Sequence, residues 1–121
     1  MAYKELVYVA HPFGGLPENR EKINKIMVDL VLRDKSRTYV SPIHNYGFMY
    51  MDGDKYQEGL DICLDLLDHC DIVLMCGDYR NSRGCKGELA RAKENGLPAF
   101  NITEWLLYLE RETEIMKGDI R

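Results

Sequence analysis

What the sequence has little of narrows the reading first. Its 121 residues contain no apolar run near the ~18 to 20 residues a membrane span needs, and Met1 to Glu5 leads into a short strand-like run, not a secretion signal. A cytoplasmic protein is therefore expected. There is no excess of positive charge: 16 Lys+Arg stand against 20 Asp+Glu, a formal net charge of −4, so no basic field invites duplex nucleic acid or anionic lipid. Four cysteines, Cys63, Cys70, Cys76 and Cys85, form no CxxC pair and no Cys/His repeat of zinc-site spacing, which argues against a metal centre. They read as core thiols, Cys85 alone lying in a Gly-rich turn where a helix dipole could activate it. Neither GxGxxG nor the Walker pattern with its Lys occurs, so dinucleotide fingerprints and P-loop chemistry are disfavoured, and no cofactor is called for.

What remains is ordinary for one domain: 45% hydrophobic residues in a length that buries a core without staples. A single domain over residues 1–121 is expected. Glu5 to Ala10 is a β-branched and aromatic run stopped by His11-Pro12-Phe13-Gly14-Gly15. Ile23, Ile26, Met27, Leu30 and Val31 form one apolar stripe, predicting a helix from Pro17 to Arg33. A short strand, Thr38 to Ser41, leads to a 13-residue stretch, Pro42 to Asp54, without helical period and carrying His44, Tyr46, Phe48, Met49, Tyr50 and Met51. Asp54 and Gln57 have capping-box spacing ahead of a second helix ending near His69, with Leu60, Cys63, Leu64 and Leu67 inward. Asp71 to Cys76 is the most apolar strand and the expected sheet centre. Ser82 to Asn95 reads as a helix closed by Gly96 and Pro98, Pro98 to Ile102 as a strand, and Thr103 as the cap of a last helix bearing Trp105, Leu106, Leu109 and Ile115.

Strands alternating with helices predict an α/β, flavodoxin-like or Rossmann-like three-layer fold with a parallel sheet of four to five strands. Ligands of such sheets sit beyond the strands' C-terminal ends, at the switch in strand order. The loops that matter are then His11 to Leu16, Pro42 to Asp54 and Gly77 to Gly87. In the first, Gly14 and Gly15 precede a helix N-terminus and either cradle an anion or simply make a turn of positive φ. His11 at the strand end either contacts a ligand or is satisfied by backbone. In the third, Glu88 falls in the first turn or two of a helix, where the dipole keeps a carboxylate ionised; it is a candidate nucleophile and equally a routine helix-start residue.

Val7-Tyr8-Val9-Ala10, the Pro12-Phe13-Gly14-Gly15 loop, the strand Cys70 to Leu74, and Ser82-x-Gly84-x-x-x-Glu88-Leu89 together resemble the nucleoside 2-deoxyribosyltransferase superfamily, which includes deoxynucleoside 5′-monophosphate N-glycosidases. The likeness runs from about residue 5 to 101, and Ser41-Pro42-Ile43-His44 is shared with its small uncharacterised members. The resemblance implies cleavage between sugar C1′ and a base nitrogen through a covalent glycosyl-enzyme, with Glu88 as nucleophile and Tyr8 orienting it. It implies a nucleoside or nucleotide partner, held by His11, Phe13, Gly14, Gly15, His44, Asp78, Ser82 and Gly84, and a homodimer or larger assembly. Ser82, uncharged where transferases carry an acid, favours a 5′-phosphate; Arg80 and Arg83 could reach it. The aromatic stretch would stack on a base or else pack on core or subunit.

One departure bears on mechanism. Counting back from Asp71 puts Cys63 where related enzymes carry the Asp that protonates the leaving base. Asp61 and Asp65 lie two residues away, about 200° round the helix, so neither replaces it. Asp78 or His44 would have to stand in, or the chain binds a nucleotide without cleaving it.

Overall fold

The computed structural model describes residues 3–51 and 53–119. Strand β1 (Leu6–Ala10) is followed by α1 (Pro17–Arg33), β2 (Thr38–Val40), α2 (Pro42–Tyr46), α3 (Tyr56–Leu67), β3 (Ile72–Met75), α4 (Arg83–Glu94), β4 (Ala99–Asn101) and α5 (Ile102–Asp119). All strand pairs are parallel, in the order β2-β1-β3-β4. The sheet is the four-stranded α/β layer expected, with the order reversing between β1 and β3.

The central strands are apolar on both faces because both are covered. Side chains alternate along β1. Val7 and Val9 pack with Ile23 and Leu30 of α1 and Trp105 and Leu109 of α5. Tyr8 and Ala10 pack with Leu67 of α3 and Cys85 and Ala92 of α4. Arg37 fastens α5 to the far end of the sheet: it pairs with Asp34 and Glu112 at 3.1 Å each and lies over the Trp105 ring. Burial opposes the charge on Asp34, but hydrogen bonds from Ser36, Tyr39 and Arg37 outweigh it and hold the carboxyl below its ordinary range.

Three expectations are corrected. Pro42 to Asp54 is not irregular: Ser41 caps α2 by accepting the His44 N–H, Pro42 supplies the first-turn φ, and 3-10 turns follow at Gly47–Tyr50 and Gly53–Lys55. Each piece is shorter than the window in which a helical period shows. The proposed Asp54/Gln57 box does not form, since α3 starts at Tyr56 with Lys55 in the cap position and no side-chain cap; Gln57 instead bonds to Asp61 within the helix. And α5 begins at Ile102, not after Thr103. Asn101 accepts the Glu104 N–H at 2.8 Å while Glu104 accepts the Asn101 N–H at 3.1 Å, a reciprocal capping box two residues earlier.

Candidate active site

The β1–β3 switch point is where the site is built. A cavity of about 420 Å³ opens there, within the range of small-molecule sites. His11, Phe13 and Gly14 from the loop after β1 line one side; Asp78, Ser82, Gly84 and Glu88 line another; Tyr50, Tyr56 and Cys63 close a third. Apolar runs end at these positions because the strands do, and the polar residues that follow surface around one hollow.

Glu88 is the sixth residue of α4, so it faces inward with Cys85 and Ala92 and is only 6% exposed. Tyr8, wholly buried on β1, donates its hydroxyl hydrogen bond to Glu88 Oε2. Burial pushes the Glu88 carboxyl up to about 7, against the opposing pull of the Tyr8 bond. The dipole argument that it stays fully ionised is thus overturned: Glu88 lies beyond the first turn, and loss of solvent outweighs the helix end. A carboxylate balanced near neutrality beside an open cavity can attack an electrophilic carbon or carry a proton. Burial raises the Tyr8 phenol well above its ordinary value, as does the Glu88 charge, so Tyr8 stays a donor.

Cys63 stands beside this pair. Its Sγ lies 3.6 Å from the Tyr50 hydroxyl, and burial pushes its thiol up to about 11. It lines the cavity as a neutral thiol. Cys85, the candidate for activation, is 1% exposed with its thiol pushed by burial up to about 12, an inert core residue.

The remaining residues divide. His11 is 6% exposed, with Nδ1 2.7 Å from the Pro12 carbonyl and burial holding its imidazole below the ordinary value. Ser82 caps α4 by accepting the Cys85 N–H at 3.2 Å, leaving its own O–H free to donate. Asp78 accepts from Asn81 at 3.0 Å. Gly14 and Gly15 both have positive φ, as the turn reading required, but only Gly14 lines the cavity; Gly15 lies against the Tyr50 carbonyl. His44 is not at the site: it bonds Ser41 Oγ at 2.8 Å and Asn24, turned toward α1 because α2 is a helix and not an open loop. It therefore cannot supply the missing acid. Arg80 lies over Tyr79 and off the cavity, whereas Arg83 lines it, 5.0 Å over the Tyr56 ring.

Of the aromatic stretch, Tyr50 alone lines the cavity, making edge contacts with Phe13 at 5.9 Å and Tyr56 at 5.3 Å; Phe48 and Met51 are exposed. Tyr56 and Asn19 were not anticipated. Tyr56 was detectable, since 56, 60 and 63 share a helix face and Cys63 had already been placed there. Among the described residues no group of three His, Cys, Asp or Glu is placed to hold a metal, and no helix is long and apolar enough to cross a membrane.

The profile of a domain family of unknown function, DUF4406, matches residues 5–101, from the edge of β1 to the end of β4. The chain belongs to DUF4406. A solved 2-deoxyribosyltransferase from Bacillus psychrosaccharolyticus is 21% identical to this DUF4406 chain, with a TM-score of 0.61 over 79% of this chain and 70% of that one. At that identity the shared property is the fold. No curated protein matches the sequence.

Proposed function

We propose that this protein breaks the N-glycosidic bond of a nucleoside or nucleotide through a covalent glycosyl ester on Glu88. The observation that carries the reading is the Tyr8–Glu88 hydrogen bond in the wall of the cavity. An oxocarbenium-like transition state needs one fixed carboxylate under C1′, and trapping the sugar as an ester divides a hard step into two easier ones. Tyr8 holds the carboxylate in place and stabilises its ionised form.

Phe13, Tyr50 and Tyr56 offer edges and faces for a base, each stacking contact contributing about 1–3 kcal/mol. Ser82, Gly84 and Arg83, with Gly14 opposite, form the polar end proposed for a 5′-phosphate, Asp78 lying beside them. Exposed Phe48 and Met51, and Val28 and Leu32 on α1, support assembly into a homodimer or larger oligomer. Incubation with a panel of deoxynucleosides and their 5′-monophosphates tests the reading. Free base should appear with at least one substrate and vanish in Glu88→Ala; no release from any would reject it.

Cys63 favours a second reading. A thiol pushed up to about 11 is a poor proton donor to a departing base, which suits a protein that holds a nucleotide intact. Tight capture with full recovery of unaltered ligand would select this alternative.

A further inference from the structure

His11 is left over from the mechanism above, and its geometry is specific. A carbonyl oxygen only accepts, so the 2.7 Å contact to the Pro12 carbonyl fixes the proton on Nδ1 and makes Nε2 the lone-pair nitrogen of the neutral ring. Nε2 has no hydrogen-bond partner among the described residues. Yet no sealed-off side-chain nitrogen or oxygen among those residues lacks a partner, so Nε2 keeps some exposure, and His11 is one of the residues lining the cavity. The residue is otherwise 6% exposed, and a Cβ at Gly77 would come within 3.0 Å of Nε2, so the backbone there leaves room for the ring. A buried imidazole with its tautomer set and its lone pair unpartnered, in the lining of a ligand site, is a poised acceptor.

Its position relative to Glu88 gives the acceptor a task. Tyr8 faces the α3–α4 side of the sheet, where Glu88 lies, and strand alternation sends residue 11 off the end of β1 toward the opposite side. In a double displacement, the second nucleophile approaches the anomeric carbon from the face opposite the carboxylate. Of the other groups lining the cavity, Asp78 already accepts from the Asn81 amide on both oxygens, and Cys63 shares its hydrogen bond with Tyr50.

The geometry points to His11 as the general base that activates water against the glycosyl–Glu88 ester, making the protein a hydrolase; this rests on the N-glycosidic reading above. The water oxygen forms the new bond to C1′ as the C1′–Oε bond to Glu88 breaks. The electron pair of that bond returns to the carboxylate, and the water proton passes to Nε2 and then to solvent. Burial, with Lys22 nearby, holds the ring neutral and receptive, against the smaller opposing effect of the Pro12 bond.

His11→Asn is the informative variant, because its side-chain amide can still donate to the Pro12 carbonyl while Nε2 is gone; His11→Gln is the second variant should the first not fold. Both are assayed with whichever deoxynucleoside or 5′-monophosphate the wild type cleaves. The first turnover of base release should stay within about threefold, while steady turnover falls by about 10² to 10³, the usual range for a lost general base. Intact-mass spectrometry of quenched enzyme should show the sugar on Glu88 in most molecules. Azide, which attacks without losing a proton, should restore turnover at least tenfold as a glycosyl azide. Turnover within threefold of wild type, or a loss of rate with no accumulated ester, overturns the role of His11 and leaves the N-glycosidic reading standing. A raised KM with unchanged kcat does likewise, showing His11 on a sugar hydroxyl. A wild type that cleaves nothing overturns both.

Discussion

Tyr8 and Glu88 are 80 residues apart in sequence and share one hydrogen bond in the core, the phenol on the central sheet and the carboxylate on the helix above it. The bond acts on the ionised acid, so its removal has a definite sign. In Tyr8→Phe the Glu88 carboxyl should rise above about 7, because the one group pulling it down from the sheet is gone. The acidic limb of the kcat/KM profile for base release should move to higher pH, with the rate at pH 7 down by about 10- to 100-fold. An unmoved limb would show that Glu88 is not the titrating group.

Glu88 also ties stability to pH. Its folded value of about 7 lies above the 4.5 of an unfolded chain, so between those values the native state binds more protons than the unfolded one. The stability associated with the protonated acid is complete below pH 4.5 and lost as pH rises through 7. Glu88→Gln keeps an acceptor for Tyr8 without a charge. It should be more stable than wild type at pH 8 by roughly 1–3 kcal/mol and indistinguishable near pH 4.5, as read from urea melts at both values.

Cys63→Asp puts an acid in the cavity wall beside Tyr50. If the leaving base now departs without a donor, base release should accelerate at least tenfold, general acids being worth about 10² to 10⁴. The added carboxyl should also push Glu88 further up, since two acids sharing a cavity resist joint ionisation. Unchanged or slower release in a folded variant would mean that protonation of the base is not limiting.

Gly77 and Gly14 separate backbone strain from crowding. Both have φ of +60°, so Ala at either incurs about 1–2 kcal/mol of left-handed strain. At Gly14 a Cβ meets nothing within 4 Å, but at Gly77 it meets the His11 ring. Gly14→Ala should cost stability through this strain and, because Gly14 lines the cavity, raise KM for a 5′-monophosphate without slowing ester hydrolysis. Gly77→Ala should cost more and also slow ester hydrolysis by displacing Nε2, as thermal melts and steady-state turnover would show.

The elements, their order and the parallel sheet were legible from one sequence because period, breakers and apolar runs are local signals. The stretch from Pro42 to Asp54 and the start of α5 were not. Helical pieces of three to five residues carry too little period, and the Asn101–Glu104 box competes with an equally plausible Thr103 start. Motif and position singled out Tyr8, Glu88, Ser82 and Cys63, and the structure gathers the last three around one cavity with Tyr8 bonded to Glu88, while His44 was assigned to the cavity on composition and in fact faces Asn24.

By itself, then, the amino-acid order determined which segments are strands and helices and that three loops end on one edge of the sheet. Tertiary structure alone decided that Tyr8 reaches Glu88, that Tyr56 joins Tyr50 in the wall, and that a nearly buried His11 lines the same cavity. The reason is physical: hydrogen bonding, burial and the proton affinities they set depend on distances between residues far apart in the chain, which no local pattern encodes.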